Sequence, residues 1–370
     1  MAENLKNFFG RRVIESLAEE LAAVHPAFKK ARFVSESLDG LDSLELLARG
    51  WHIAEAMKRH LPADFPAAAK VLRRSLGPEI EDTPQSGMEV FRYLPHVLYV
   101  SKYGLDHFND AMGLQYELTK RFTAEFSIRA YLINYPDQAY ESLRQWASDP
   151  NVHVRRLVSE GSRPRLPWAP RLRAFQEDPS RVVALLELLK DDAELYVRRS
   201  VANSLNDIAK DHPDVTVDVC RRWLKDATPE RKWIVNHALR SLVKRGHSGA
   251  MKLLGVGSTP KVRLGAIRFS TKTVRMGGKL GFSFEVVSAS RSKQDVLIDF
   301  AVHFVKANGS TSRKVFKLKR LELQPGGRVL LTSTVSFKEM TTRQHYPGTH
   351  RIEALINGRA FPMGVVRLIL

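Results

Sequence analysis

The hydrophobic pattern changes period once, at Gly255–Val256–Gly257–Ser258–Thr259–Pro260, and that switch limits the fold more than any other feature. Before it, Leu41–His60, Asp64–Leu76, Gly87–Lys102, Tyr135–Ala147 and Val182–Lys190 read as amphipathic helices. Breaks at Leu61–Pro62, Gly77–Pro78, Thr83–Pro84, Asp149–Pro150 and His212–Pro213 separate them. After the switch, β-branched and aromatic residues alternate with polar ones over Lys279–Val287, Val296–Val305, Ser312–Leu323, Val329–Phe337 and His350–Ile356. Asn308–Gly309, Pro325–Gly326–Gly327 and Asn357–Gly358 supply the turns. About seven short strands in about 110 residues predict an immunoglobulin-like sandwich. The expected architecture is an all-α domain over 1–254, a linker over 255–260 and an all-β sandwich over 261–370. The Gly-x-Gly of the linker is not a dinucleotide motif, because it follows a helix and opens a strand.

The helical half repeats itself. Val154–Arg155–Arg156–Leu157–Val158–Ser159–Glu160 matches Val197–Arg198–Arg199–Ser200–Val201–Ala202–Asn203, and Ile234 to Arg240 is a looser third copy. Aligned positions 160, 203 and 240 lie 43 and 37 residues apart, a period that predicts a solenoid of HEAT-like helix pairs. On a helical wheel Val154, Leu157, Val158 and Gly161 form one face; Arg155, Arg156, Ser159, Glu160 and Arg163 form the other. In the second copy Val197, Val201, Ser204 and Ile208 point in, and Arg198, Arg199, Asn203 and Asn206 point out. Stacked repeats would align the polar faces into a groove whose paired arginines suit a phosphate backbone. A solvated face with surface ion pairs gives the same pattern.

Charge supports a polyanionic partner. The chain carries +18 overall, and residues 258–370 hold 20 Lys and Arg against 6 Asp and Glu. A small domain so charged repels itself unless it meets a polyanion such as nucleic acid. Arg313, Lys314, Lys317, Lys319 and Arg320 are its candidate contacts, only some of which face outward together. A membrane surface is disfavoured by the lack of a basic amphipathic helix with an aromatic face.

Acids in a basic groove need a reason. Glu160 sits among Arg156, Arg163 and Arg165; Asp207 lies one turn beyond Asn203; Glu125 lies on an earlier helix. A preorganised carboxylate would stabilise the cationic sugar formed when an N-glycosidic bond breaks, or would position water. The plain alternative is ion pairing within a helix, Glu125 with Arg121 or Arg129 and Glu160 with Arg156. The loop Arg163–Pro164–Arg165–Leu166–Pro167–Trp168–Ala169–Pro170 is stiffened by three prolines. Trp168 is therefore read either as an aromatic contact for a cationic base or as a plug between repeats.

The run from Val154 to Gly161, followed by Arg163–Pro164–Arg165–Leu166–Pro167–Trp168, resembles the signature of the AlkC branch of the HEAT-like-repeat DNA alkylation-repair glycosylases. Trp233 to Leu242 also resembles that superfamily, including its AlkD relatives. The resemblance covers about residues 1–255, and part of the AlkC branch carries a C-terminal immunoglobulin-like domain. It implies a bacterial, monofunctional glycosylase of base excision repair. The lesions would be small N3-alkyl ones such as 3-methyladenine and 3-methylcytosine, engaged without full base flipping. It further implies a catalytic cleft of Glu160, Trp168, Glu125 and Asp207. The DNA contacts would come from Arg155, Arg156, Arg163, Arg165, Arg198, Arg199 and Arg240, with Lys314, Lys317 and Lys319 of the sandwich. The expectations are a monomer acting on alkylated DNA, no membrane partner, no cofactor and no metal. The alternative is a non-enzymatic HEAT-repeat scaffold that binds nucleic acid, which would have no use for a clustered site.

Other motifs are missing. There is no His-Glu-x-x-His, Cys-x-x-Cys, P-loop or Ser-His-Asp pattern, and no lysine nucleophile is indicated. His96, His153 and His237 read as structural histidines; Trp51, Trp146, Trp223 and Trp233 as core anchors. The lone Cys220 reads as a buried thiol. Met1–Arg12 lacks a signal core and no stretch reaches about 18 apolar residues, so a cytoplasmic protein is expected.

Overall fold

A computed structural model describes residues 5–81, 88–256, 259–339 and 344–370. The break expected at Thr83–Pro84, the helix start at Gly87, linker residues Gly257–Ser258 and the first four residues of Met1–Arg12 lie outside these. The protein is helical up to Leu253 and all-β from Val262 to Ile369, as the switch in period requires. Contacts group the chain into two compact units, one of Met1–His212 with Trp223–Ala238 and one of Pro213–Arg222 with Leu239–Leu370.

Local chemistry sets the helix ends in the first unit. Asp64 caps Phe65–Arg74 by accepting the Ala67 amide at 3.1 Å, and Pro136 opens Pro136–Trp146 at a position that needs no amide proton. The helix read over Leu41–His60 is instead a 3₁₀ turn, Leu41–Ser43, followed by an α-helix over Leu46–His60. Extended backbone at Leu44 and Glu45 separates the two. No described helix is long and apolar enough to cross a membrane.

The repeat copies pack in sequence. Helices Val152–Gly161, Leu195–Ile208 and Pro229–Ala238 lie side by side. Their matched apolar positions, Val154, Val158, Val197, Val201, Ile234 and Ala238, are all buried. The same side-chain rung recurs between copies. The Ser200 hydroxyl donates to Glu160 Oε2 at 2.6 Å, and at the matched positions His237 Nε2 meets Asn203 Oδ1 at 3.3 Å. The face expected to be open therefore borders a seam between repeats, and Ser159, Glu160 and Asn206 on it are buried.

The second unit contains β1 (Val262–Phe269), β2 (Thr273–Arg275), β3 (Lys279–Ser288), β4 (Gln294–Val305), β5 (Thr311–Leu323), β6 (Arg328–Ser336), β7 (Gly348–Ile356) and β8 (Arg359–Ile369). A three-stranded sheet, β1-β3-β6, faces a five-stranded one, β2-β8-β7-β4-β5. Leu280, Phe282 and Phe284 of β3, Ile298 and Phe300 of β4 and Ile352 and Ala354 of β7 share one apolar core. The other face of β4 is covered as well: Asp299 and Ala301 are buried. Helices Arg240–Arg245 and Ser248–Leu253 belong to this unit, and Gly246 and Gly358 meet backbone to backbone, both at positive φ. A Cβ on Gly358 would lie 2.3 Å from Gly246 Cα. Arg320 closes the same junction by donating to the Leu254 carbonyl at 2.8 Å.

Candidate active site

The cluster begins with a cap. Asn151 Oδ1 accepts the His153 and Val154 amides at 2.9 and 3.3 Å and starts the Val152–Gly161 helix. That helix projects Arg156 and, one turn on, Glu160. Arg156 Nη1 donates to Glu125 Oε2 at 2.5 Å and its Nη2 lies 3.5 Å from Glu160 Oε1. Thr123 Oγ1 also donates to Glu125 Oε2, at 3.0 Å. Arg163 Nη1 donates to Glu160 Oε1 at 2.5 Å and its Nε to Asp207 Oδ2 at 2.8 Å. Lys210 Nζ completes the row on Asp207 Oδ1 at 2.8 Å. Glu125, Arg156, Glu160, Arg163 and Asp207 thus form one chain of alternating charge.

Burial makes this chain matter. Glu160 is 6% exposed and Asp207 1%. Burial pushes the Glu160 carboxyl up, but the Arg156 and Arg163 guanidiniums and the Ser200 hydroxyl outweigh it and hold it below the ordinary glutamate value. Burial lowers Arg156 and Arg163; their acidic neighbours more than reverse this and raise both. Arg156, Glu160 and Arg163 are therefore fixed charges at neutral pH, and Glu160 is not a proton donor. Among the described residues no group of three His, Cys, Asp or Glu is placed to hold a metal ion.

Trp168 stands on the loop that leaves Glu160. It has φ +62°, which is rare outside glycine, and is 62% exposed. The reading of Trp168 as a plug between repeats is overturned by that exposure. The loop beneath it is fixed: Leu166 is buried, Leu172 N donates to Pro164 O at 3.2 Å, and Arg165 pairs with Asp211.

The expected arginines divide by partner. Arg155 Nη1 donates to the Asp149 and Pro150 carbonyls, and Arg198 Nη1 to the matched Asp192 and Ala193 carbonyls. The first arginine of each copy thus ties down its own incoming turn, and Arg155 also pairs with Asp192 at 2.6 Å. Of the second arginines, Arg156 is in the cluster and Arg199 is exposed. Arg240 opens the Arg240–Arg245 helix. Lys317 and Lys319 are exposed on edge strand β5, and Lys314 lies over the Phe316 ring. The intrahelical pairing proposed for Glu125 is replaced: Arg121 binds Glu117, and Arg129 binds backbone carbonyls.

The comparisons with known proteins cover the whole chain. Residues 263–369 match the family model described as the C-terminal Ig-like domain of the uncharacterised protein YhaZ. The uncharacterized protein YhaZ of Bacillus subtilis is 35% identical over 359 residues, 96% of each chain. The solved structure of Pseudomonas fluorescens alkylpurine DNA glycosylase AlkC, bound to DNA containing an abasic site analog, superposes with TM-score 0.90. It is 34% identical, with 100% of both chains covered. The chain belongs to the AlkC branch. Within this AlkC-branch chain, the run from Glu160 to Trp168 is the piece around which the buried charges gather.

Several residues in or near the cluster were not read as site residues from the sequence: Ser200, Thr123, Tyr196, Lys210 and Arg129. Ser200 left a signal, because it occupies the position of Leu157 in the first copy and is a polar residue where the repeat asks for an apolar one. Tyr196, whose ring lies 5.3 Å from the Arg156 guanidinium, left none. The histidines are structural in character: burial, helped by Arg92, pushes His96 down to about 3. Burial pushes the Cys220 thiol up to about 12, so it stays protonated. Trp223 is buried; Trp233 is half-buried and stacks on His237 at 4.9 Å.

Proposed function

We infer that this chain is a monofunctional DNA glycosylase of base excision repair that hydrolyses the N-glycosidic bond of cationic N3-alkylated bases, 3-methyladenine and 3-methylcytosine. The observation that carries the reading is the convergence of Glu125, Glu160 and Asp207 on two shared arginines, Arg156 and Arg163, with Trp168 exposed on the loop that follows Glu160. A scaffold that only binds nucleic acid has no use for two buried carboxylates and a half-buried third tied to its arginines, and a 34% identical relative is a glycosylase by name.

The chemistry follows from charge. An N3-alkylated base is already cationic, so the C1′–N bond breaks with its electron pair going to the base, which leaves neutral. No general acid is required. Positive charge develops on the sugar, and the fixed carboxylates stabilise it. Water adds to C1′, and its proton passes to a carboxylate or to solvent. Glu160, held ionised, is the principal anion; Glu125 and Asp207 complete the field. Arg156 and Arg163 orient these carboxylates while standing close to the strand. Trp168 places its ring face against the cationic nucleotide, and as an exposed loop tip it engages the lesion without full extrusion of the base.

Phosphate contacts come from Arg199 and Arg240, from the heads of Arg155, Arg165 and Arg198, and from Lys314, Lys317 and Lys319 of the sandwich. Residues 1–254 carry the chemistry and 261–370 add DNA contact. The protein acts as a cytoplasmic monomer. Among the described residues Lys210 is the lysine paired within the cluster, and it holds Asp207, so no Schiff base forms. The test is single-turnover incubation with DNA carrying one 3-methyladenine analogue or one neutral hypoxanthine, with borohydride present. The reading predicts an intact strand with an abasic site from the first, none from the second and no trapped adduct. A trapped adduct, or equal action on the neutral base, overturns it.

A further inference from the structure

We propose that Arg129 is a positioning residue that sets the place of Trp168. Arg129 is 1% exposed, and its guanidinium is turned on backbone rather than on a carboxylate. Nη1 donates to the Gly161 and Arg163 carbonyls at 3.0 and 2.7 Å. Nε and Nη2 both donate to the Pro170 carbonyl, at 2.8 and 2.5 Å. One planar cation thus fastens both ends of the 161–170 segment, with Trp168 at its free tip. The neighbouring Ile128 packs on the same place: a Cβ on Gly161 would meet its Cγ2 at 2.6 Å.

This arrangement is costly and specific. Burial, with Arg163 nearby, lowers Arg129 to about 10, so it remains a cation at neutral pH but a poorly solvated one. A buried cation is retained where its geometry does something a neutral residue cannot. Here that is four donors in one rigid plane, reaching carbonyls that are nine residues apart in sequence. Trp168 is left in a left-handed conformation that the loop must enforce, because most of the residue is exposed. Arg163, whose carbonyl Arg129 holds, carries Glu160 and Asp207 on its own side chain. The clamp therefore fixes the aromatic and the carboxylates in one frame. Lysine, with a shorter reach and no plane, cannot span both loop ends.

This role rests on the glycosylase reading for its effect on rate but not for its effect on structure, so two readouts are used. The protein is labelled with 5-fluorotryptophan, and the Trp168 ¹⁹F resonance is assigned by its loss in Trp168→Phe. In Arg129→Lys that resonance should broaden or move toward the free amino-acid value while the other four stay in place. Single-turnover base release should fall about 100-fold, the cost of displacing a reacting group by about 1 Å. Affinity for DNA with an abasic analogue should stay within about threefold. Arg129→Met serves if the lysine variant does not fold. An unmoved Trp168 resonance overturns the proposal whatever the rate does. A moved resonance with no base release even by the wild type retains the clamp and overturns the enzymatic reading instead. Loss of all five resonances together would make Arg129 a general stability residue and overturn a positioning role.

Discussion

Replacing Glu160 with glutamine removes one unit of negative charge and little else. The amide oxygen can still accept from Arg163, now 2.5 Å from Oε1, and the amide nitrogen can donate to Ser200, whose hydroxyl turns to accept. Glu160 is buried, so the lost charge is not replaced by solvent. At an effective dielectric of about 20, a unit charge about 7 Å from the reacting carbon is worth about 2.4 kcal/mol. That corresponds to about 60-fold in rate. The same change weakens the ion pairs with Arg163 and Arg156 while relieving the desolvation of a buried anion, leaving a net stability loss of about 1–3 kcal/mol. Single-turnover release of 3-methyladenine reads the first quantity and urea denaturation the second. A folded Glu160→Gln protein that releases base within threefold of wild type would refute the electrostatic role assigned to this residue.

Other perturbations separate the parts of the account. Trp168→Gly should lower base release at least tenfold yet leave the melting temperature unchanged or higher, since glycine relieves about 1 kcal/mol of left-handed strain. Glu160 has a folded pKa below its unfolded value. Its contribution is therefore fully present above about pH 4.5 and lost as pH falls through the folded value. The stability gap between wild type and Glu160→Gln should be flat from pH 8 to 5 and shrink below about 4.5, as measured by urea titration at each pH. Gly358→Ala places a methyl 2.3 Å from Gly246 Cα at a position with φ +74°; thermal denaturation should show a loss of more than about 1 kcal/mol. Lys317→Glu with Lys319→Glu should reduce the log–log salt dependence of DNA binding by about 2, at about 0.9 per phosphate contact.

Much of this architecture was legible because the two halves differ in period. Five strands were read within a residue or two of their observed limits, whereas β1, β2 and β8 were not. β1 is interrupted by Gly265, β2 has only three residues, and β8 carries Pro362 and Gly364, which break the alternation. The linker at 255–260 was read from composition. In the fold, helices on its N-terminal side pack in the same compact unit as the sheet, a contact that no local pattern announces. At the candidate site, Glu160 and Trp168 stood out because an acid and an aromatic were out of place in a basic, proline-stiffened run. A helical wheel could not tell an open face from a seam between repeats, which is where Glu160 and Asn203 lie. Arg129 was misplaced because its partners are carbonyl groups 32 to 41 residues away, and carbonyls are the same in every sequence.

Excision of cationic alkylated bases from DNA is the activity proposed for this chain. Its most direct test is mass-spectrometric identification of the bases liberated from methylated DNA by the purified protein. Free 3-methyladenine and 3-methylcytosine, absent with heat-inactivated protein and strongly reduced with folded Glu160→Gln, are the predicted products. Tight binding to the same DNA with no base released would contradict the account and leave a nucleic-acid scaffold in its place.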